Sequence, residues 1–200
     1  MVGSNILDVG AGTERLAIPL YESGYSITAI DASNPLLDVL RSKGSTSRIH
    51  TIHARLQDLA LKDQFDFVCY VLSVFCYLTT EGELDAAIDA ICRHTKPTGK
   101  ILVDVTALGS FTGINYQSED LIRTAVIEQE DPIQHLCHYS ETAQKSQPDG
   151  IQEFKDDFLI KYWDHGLSLN KFAKIGFGSQ LSMTHQFVGS GARYFLLGKR

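Results

Sequence analysis

The sequence predicts an α/β fold, in which parallel strands are joined by crossover helices lying on both faces of one sheet. Three observations predict it. Short apolar runs alternate with helical patterns through the first half of the chain, the first run ends in a glycine turn, and the second ends in an acid. The apolar runs fall at about residues 5–9, 26–30, 48–53, 65–71 and 100–105, with helical patterns between them at about 14–23, 34–43 and 81–95. Alternation at that spacing belongs to parallel strands, because each return to the same sheet edge needs a crossover.

Each element has a local reason. Ile6, Leu7 and Val9 make the first strand, after which Gly10 and Gly12 allow a sharp turn and leave room for a ligand. Leu16, Ala17 and Leu20 form the apolar face of the first helix, and Ser26 to Ile30 the second strand, with Asp31 directly after it. Asp31-Ala32-Ser33-Asn34-Pro35 starts the second helix, with Ser33 or Asn34 as N-cap and Pro35 in the first turn. Gly24 and Gly44 stop the first two helices. Thr79-Thr80-Glu81-Gly82-Glu83 opens a helix whose apolar face is Leu84, Ala87, Ile88 and Ile91. Lys96-Pro97-Thr98-Gly99-Lys100 turns into the strand Ile101–Val105.

The second half changes character. Arg123–Glu128, Ile133–Thr142 and Gly150–Tyr162 read as successive strands, with a turn at Gln147-Pro148-Asp149-Gly150, and together predict an antiparallel insertion after the fifth strand. Ser168–Ile175 reads as a short helix with Leu169, Phe172 and Ala173 inward, stopped by Gly176-Phe177. Two last strands, near 178–187 and 192–198, flank Gly189-Ser190-Gly191.

Composition narrows the function. Two hundred residues, 44% of them hydrophobic, suit one domain with a sizeable core. A formal net charge of −6, with acids and bases interspersed, speaks against a nucleic-acid surface, which draws its affinity from neutralising phosphates. Cys69, Cys76, Cys92 and Cys137 are scattered without a C-x-x-C pair, which disfavours a disulfide framework and points to a reducing cytoplasm. No signal-peptide pattern, membrane-length apolar run or metal-ligand spacing is visible, so neither a membrane nor a metal is expected.

Strand, glycine turn, helix, strand and acid form the layout of a nucleotide-type cofactor site, with Asp31 placed to accept from ribose hydroxyls. A dinucleotide fingerprint needs G-x-G-x-x-G, and Arg15 stands where its packing glycine belongs, which argues against NAD. The run Asp8-Val9-Gly10-Ala11-Gly12 instead resembles the first motif of class I S-adenosylmethionine (SAM) dependent methyltransferases, an acid followed by G-x-G-x-G, with Glu14 in place of the third glycine. Phe65-Asp66-Phe67-Val68 with Leu72 to Leu78 resembles the fourth strand and following loop of the small-molecule members. Lys96 to Val105 resembles their approach to the fifth strand, and Lys174-Ile175-Gly176-Phe177 the turn before the sixth. The insertion is similar to those of sugar and glycine N-methyltransferases.

That resemblance implies a Rossmann-like sheet of seven strands, five parallel plus a final antiparallel pair, with helices on both faces and the antiparallel insertion after strand five. It implies a single SAM-binding domain over 1–200, with about 112–165 as an inserted substrate cap. SAM is the implied cofactor, and the implied reaction is in-line methyl transfer to nitrogen or oxygen of a small metabolite. Gly10, Ala11 and Gly12 are expected at the methionine portion, Asp8 at the loop and ammonium, and Asp31 and Ala32 at the ribose. Leu56 and Gln57 are expected at the adenine, although Ala54-Arg55 replaces the family's Gly-Asp there, and Tyr70, Val71 and Leu72 at the sulfonium. His135, His138 and Tyr139 on the insertion, with His165, are candidate bases by position, and strand alternation sets His135 and His138 on opposite faces.

Each assignment has a plainer rival: a ligand-free turn for the glycines, a helix cap for Asp31, a core ring for Tyr70. Rival functions are a non-catalytic binding module with this fold and, more weakly, an NAD-dependent oxidoreductase. Relatives usually carry helices ahead of the first strand that close over the cofactor. Here that strand begins almost at Met1, so a shortened chain, a gene fragment or an open-sited member is expected, with exposed apolar surface favouring a homodimer.

Overall fold

A computed structural model describes residues 5–43, 49–106, 113–184 and 192–200, with side chains throughout except at 181–184. The first part alternates β1 (Asn5–Val9), α1 (Ala17–Glu22), β2 (Ser26–Asp31), α2 (Asn34–Ser42), β3 (His50–His53), β4 (Phe65–Tyr70), α3 (Glu81–Arg93) and β5 (Thr95–Thr106). Four strands follow, β6 (Gly113–Gln117), β7 (Leu121–Asp131), β8 (Leu136–Gln147) and β9 (Gly150–Lys161). The chain then runs through α4 (His165–Lys174), β10 (Phe177–Thr184) and β11 (Ala192–Lys199).

The main sheet has seven strands in the order β10-β11-β5-β4-β1-β2-β3. β1 to β5 are parallel, and β11 is antiparallel to both β5 and β10, as the sequence predicts. The strand order reverses beside β1: β2 and β3 extend to one side, β4 and β5 to the other. Such a switch point leaves a crevice at the carboxyl edge, because the connections from adjacent strands leave toward opposite faces.

Alternation along β1 divides the core. Ile6 packs with Ala17, Ile27, Leu37 and Leu40 on the face covered by α1 and α2. Leu7 and Val9 pack with Val68, Leu84, Ile88 and Ile91 on the other. Each fully buried Leu or Ile contributes about 1.5–3 kcal/mol relative to exposure. α3 begins in a capping box: Glu83 N–H donates to Thr80 Oγ1 at 3.2 Å and Thr80 N–H to Glu83 Oε2 at 3.2 Å.

Several boundaries differ from the sequence reading. α1 starts at Ala17 rather than near residue 14, and Leu16 at its N-cap makes no side-chain cap bond. Ser33 is the N-cap position of α2 but its hydroxyl makes no cap bond; its amide donates to Asp31 Oδ1 instead. The insertion has four strands, not three, since Gly113–Gln117 pairs with β7. Asp131-Pro132 ends β7 in a turn, with Asp131 Oδ1 accepting from Ile133 and Gln134, so β8 starts at Leu136 and not at Ile133. The predicted stop at Gly44 and the turn at Gly189-Ser190-Gly191 lie outside the described residues.

The four-stranded sheet, ordered β6-β7-β8-β9, docks on the main body through a cluster of Cys76, Cys137, Ile160 and Tyr162. Beside it the buried indole of Trp163 donates to the Leu78 carbonyl at 2.8 Å. Replacing Trp163, the only tryptophan of the chain, by phenylalanine leaves that buried carbonyl without its donor. We expect a stability loss of about 1–3 kcal/mol in equilibrium urea unfolding. An unchanged midpoint would mean that the insertion is not held there.

Candidate functional site

The carboxyl ends of β1, β2 and β3 are laced together by backbone. Gly10 and Ala11 both donate to the Ile30 carbonyl, at 2.9 and 3.0 Å, and Ala54 donates to that of Asp31 at 3.1 Å. Gly10 and Gly12 have φ of +68° and +59°, a left-handed backbone that ordinary side chains resist. A Cβ on Gly10 would lie 2.7 Å from Val74, whereas one on Gly12 would meet nothing within 4 Å. The loop is therefore closed below by Val74 and open above Gly12.

Asp31 is the hinge of this edge. Its Oδ2 accepts from Gly12 N–H and its Oδ1 from Ser33 N–H, both at 2.8 Å. The carboxylate is half-buried and keeps further lone pairs for a ligand. Asp8 lies below on β1, buried, and its Oδ2 has no hydrogen-bond partner among the described residues. Burial, and secondarily the nearby Asp31 charge, push its carboxyl up to about 7.

The other expected ligand contacts divide. Ala32 is exposed at the same edge, its carbonyl 3.0 Å from His53 Nε2. Gln57 is half-buried in the short 3-10 turn Leu56–Asp58, but the Leu56 side chain belongs to the core. Arg55 is turned to Glu83, at 2.7 Å. Tyr70 points into the core, packed on Phe75 with ring centroids 4.7 Å apart, and Val71 is buried. The tyrosine is too deeply packed to face a ligand, so its plainer reading as a core ring prevails. Leu72 is exposed and lines a neighbouring cleft.

That cleft holds about 360 Å³ between the ends of β4 and β5 and one face of the second sheet. Its floor is Leu72, Ser73 and Thr106; its far wall includes Arg123, Tyr139, Glu141, Asp156 and Phe158. Leu72 and Ser73 are both left-handed, with φ of 72° and 63°. The buried Asp104 carboxylate holds them by accepting from Ser73 N–H at 3.1 and 3.0 Å, while the Ser73 hydroxyl bonds that of Thr106 at 2.7 Å. Burial pushes the Asp104 carboxyl up to about 6. Three consecutive residues thus join two compartments: Leu72 and Ser73 line the cleft, and Val74 underlies the glycine loop.

Of the candidate bases, Tyr139 alone lines the cleft. Its hydroxyl donates to Glu141 Oε2 at 2.5 Å, and Arg123 Nε donates to Glu141 Oε1 at 2.6 Å. The Arg123 guanidinium holds the Glu141 carboxyl below the usual range. His138 points to the opposite face of the sheet, where Nε2 meets Asp157 at 2.7 Å. His135 is not on a strand at all; it sits in the turn before β8 with φ of 54°. His165 opens α4 with Nε2 2.9 Å from the Val105 carbonyl. The sequence places Ser73 with Leu72 at the end of the fourth strand, but it does not point to Asp104, Arg123, Glu141 or Asp156. Tyr139 and Glu141 share a strand face by simple alternation, which was a usable signal. Among the described residues no group of His, Cys, Asp and Glu is disposed to hold a metal, and no helix is long and apolar enough to cross a membrane.

Comparison with known proteins places this architecture. Residues 6–99 match the methyltransferase domain family. Cypemycin N-terminal methyltransferase from a Streptomyces species is 32% identical over 109 residues, which are 54% of this chain and 44% of that protein. The chain therefore spans less than half of that relative's length. A SAM-dependent methyltransferase structure from Clostridium acetobutylicum superposes with a TM-score of 0.86 at 15% identity, covering 98% of this chain and 83% of that one. The sugar N-methyltransferase KedS8 from a Streptoalloteichus species gives 0.82 at 18% identity, covering 100% and 81%.

The orphaned oxygen of Asp8 has a pH signature. Its carboxyl is raised in the folded chain, so the folded state binds its proton more tightly than the unfolded state. The stability of the ligand-free protein, relative to Asp8→Asn, is expected to fall as pH rises from about 4 to about 7 and then to level off. Parallel urea titrations of the two proteins across that range measure it; a constant difference would mean that Asp8 is solvated.

Proposed function

We propose that the protein is a SAM-dependent methyltransferase acting on nitrogen or oxygen of a small-molecule acceptor; residues 6–99 match the methyltransferase domain family, and the chain shares its fold with a SAM-dependent methyltransferase structure. The observation that carries the reading is the carboxylate of Asp31 beside an open glycine loop at the strand-order switch point.

The residues fit the donor. Its ribose hydroxyls and ammonium are hydrogen-bond donors, and this edge offers acceptors: Asp31 with lone pairs to spare, and Asp8 with a buried oxygen lacking any partner. The backbone of Gly10, Ala11 and Gly12 would border the methionine portion, and Asp31 with Ala32 the ribose. The Leu56 backbone and Gln57 would border the adenine, and Leu72 the reacting end. When bound, SAM supplies a methyl carbon activated by its sulfonium leaving group.

What remains for the chain is orientation of the acceptor and exclusion of water. The second sheet, within the insertion at about 112–165, would serve as the acceptor's cap, with Tyr139 among its contacts. His138 and His135 drop out of the catalytic set, since one faces away from the cleft and the other sits in a turn. The cleft of about 360 Å³ suits a metabolite. The acidic chain suits a free small molecule better than a nucleic acid.

Isothermal calorimetry with S-adenosylhomocysteine tests the reading. One molecule should bind per chain, and Asp31→Ala should weaken binding roughly 10- to 100-fold by removing charged hydrogen bonds to the ribose. No binding would overturn the function, and an unchanged affinity of the variant would overturn the assignment of the ribose to Asp31.

A further inference from the structure

Resting on the methyltransferase reading, we propose that the cleft anchors its acceptor through a cationic amine group, a handle separate from the atom that takes the methyl, held by the Asp156 carboxylate and the aromatic rings of Tyr77 and Tyr139. The first ground is an imbalance of charge. Glu141 on β8 and Asp156 on β9 are directly opposed cross-strand partners on the face that lines the cleft. Like charges in that relation destabilise a sheet. Glu141 is compensated, since Arg123 and the Tyr139 hydroxyl take its two oxygens. Asp156 has no hydrogen bond or ion pair among the described residues. Among the described residues, the charged groups of the lining are Arg123, Glu141 and Asp156, which together carry one net negative charge.

The second ground is the aromatic wall. Phe158 lies between Tyr139, stacked at 4.8 Å, and Tyr77, at 5.4 Å. Tyr77 is 57% exposed at the cleft, although a ring of that size gains nothing for folding by standing in water. Phenols are neutral at physiological pH, so both rings keep their negative faces. Neutral aromatic faces next to an uncompensated carboxylate attract an ammonium from two directions. An anionic acceptor would meet Asp156 and Glu141 and be repelled. A neutral alcohol would leave the net charge of the lining unused.

Choline and its uncharged carbon isostere, 3,3-dimethylbutan-1-ol, separate these cases on the protein loaded with S-adenosylhomocysteine. Binding is read from chemical-shift titrations, and affinity for S-adenosylhomocysteine is measured separately on every sample. Choline should bind at least roughly tenfold more tightly than the isostere. Asp156→Asn and Tyr77→Leu should each erase most of that preference; both side chains are largely exposed, so both variants should retain the fold. Equal binding of the two probes, or no binding of either, in protein that still takes S-adenosylhomocysteine would overturn the amine and spare the methyltransferase reading. A choline preference in protein that does not take S-adenosylhomocysteine would overturn the methyltransferase reading and keep the cationic cleft. A preference that survives Asp156→Asn would overturn the role of that carboxylate.

Discussion

The carboxylate of Asp31 is the constraint on which the rest of the site depends. One of its oxygens takes the amide of Gly12 and the other that of Ser33, so a single side chain fixes the glycine loop of β1 and the start of α2 to the end of β2. The strand order makes this possible. Because β2 and β4 flank β1 on opposite sides, the loop after β1 is bordered by both of their carboxyl ends. A glycine loop elsewhere in the sheet would have no such walls.

A second carboxylate plays the corresponding part on the other side. Asp104 is buried at the end of β5 and accepts from Ser73, holding two consecutive left-handed residues that are not glycine. Such backbone costs of order 1–3 kcal/mol per residue and persists only where its surroundings fix it. Here it turns the chain out of β4 so that Leu72 and Ser73 form the cleft floor and Val74 the support of Gly10. The cleft floor and the support of the glycine loop are thus consecutive residues of one turn.

Much of this was legible in the sequence because it is local. The alternation of β1 to β5 with helices, the glycines at 10 and 12 and the acid at 31 depend on neighbours a few residues away. The insertion was less legible because its strands are paired by register. β6 has only Ile114 and Tyr116 as an alternating signal, and its pairing with β7 is what makes it a strand. The start of β8 was misread although Asp131-Pro132 marks a turn, since proline cannot donate to a ladder. With β8 beginning at Leu136, His135 falls in the turn, and the opposition of Glu141 and Asp156 exists only once β8 and β9 are in register. Tyr70 was misassigned for another reason: strand position gives the face of a side chain but not how deeply that face is covered.

A crystal structure of the chain with S-adenosylhomocysteine tests the central claim most directly. Both ribose hydroxyls are expected within hydrogen-bond distance of the Asp31 carboxylate, with the sulfur facing Leu72 and the cleft beyond it. Adenosine lying away from the glycine loop, or an Asp31 carboxylate that makes no contact with the sugar, would contradict it.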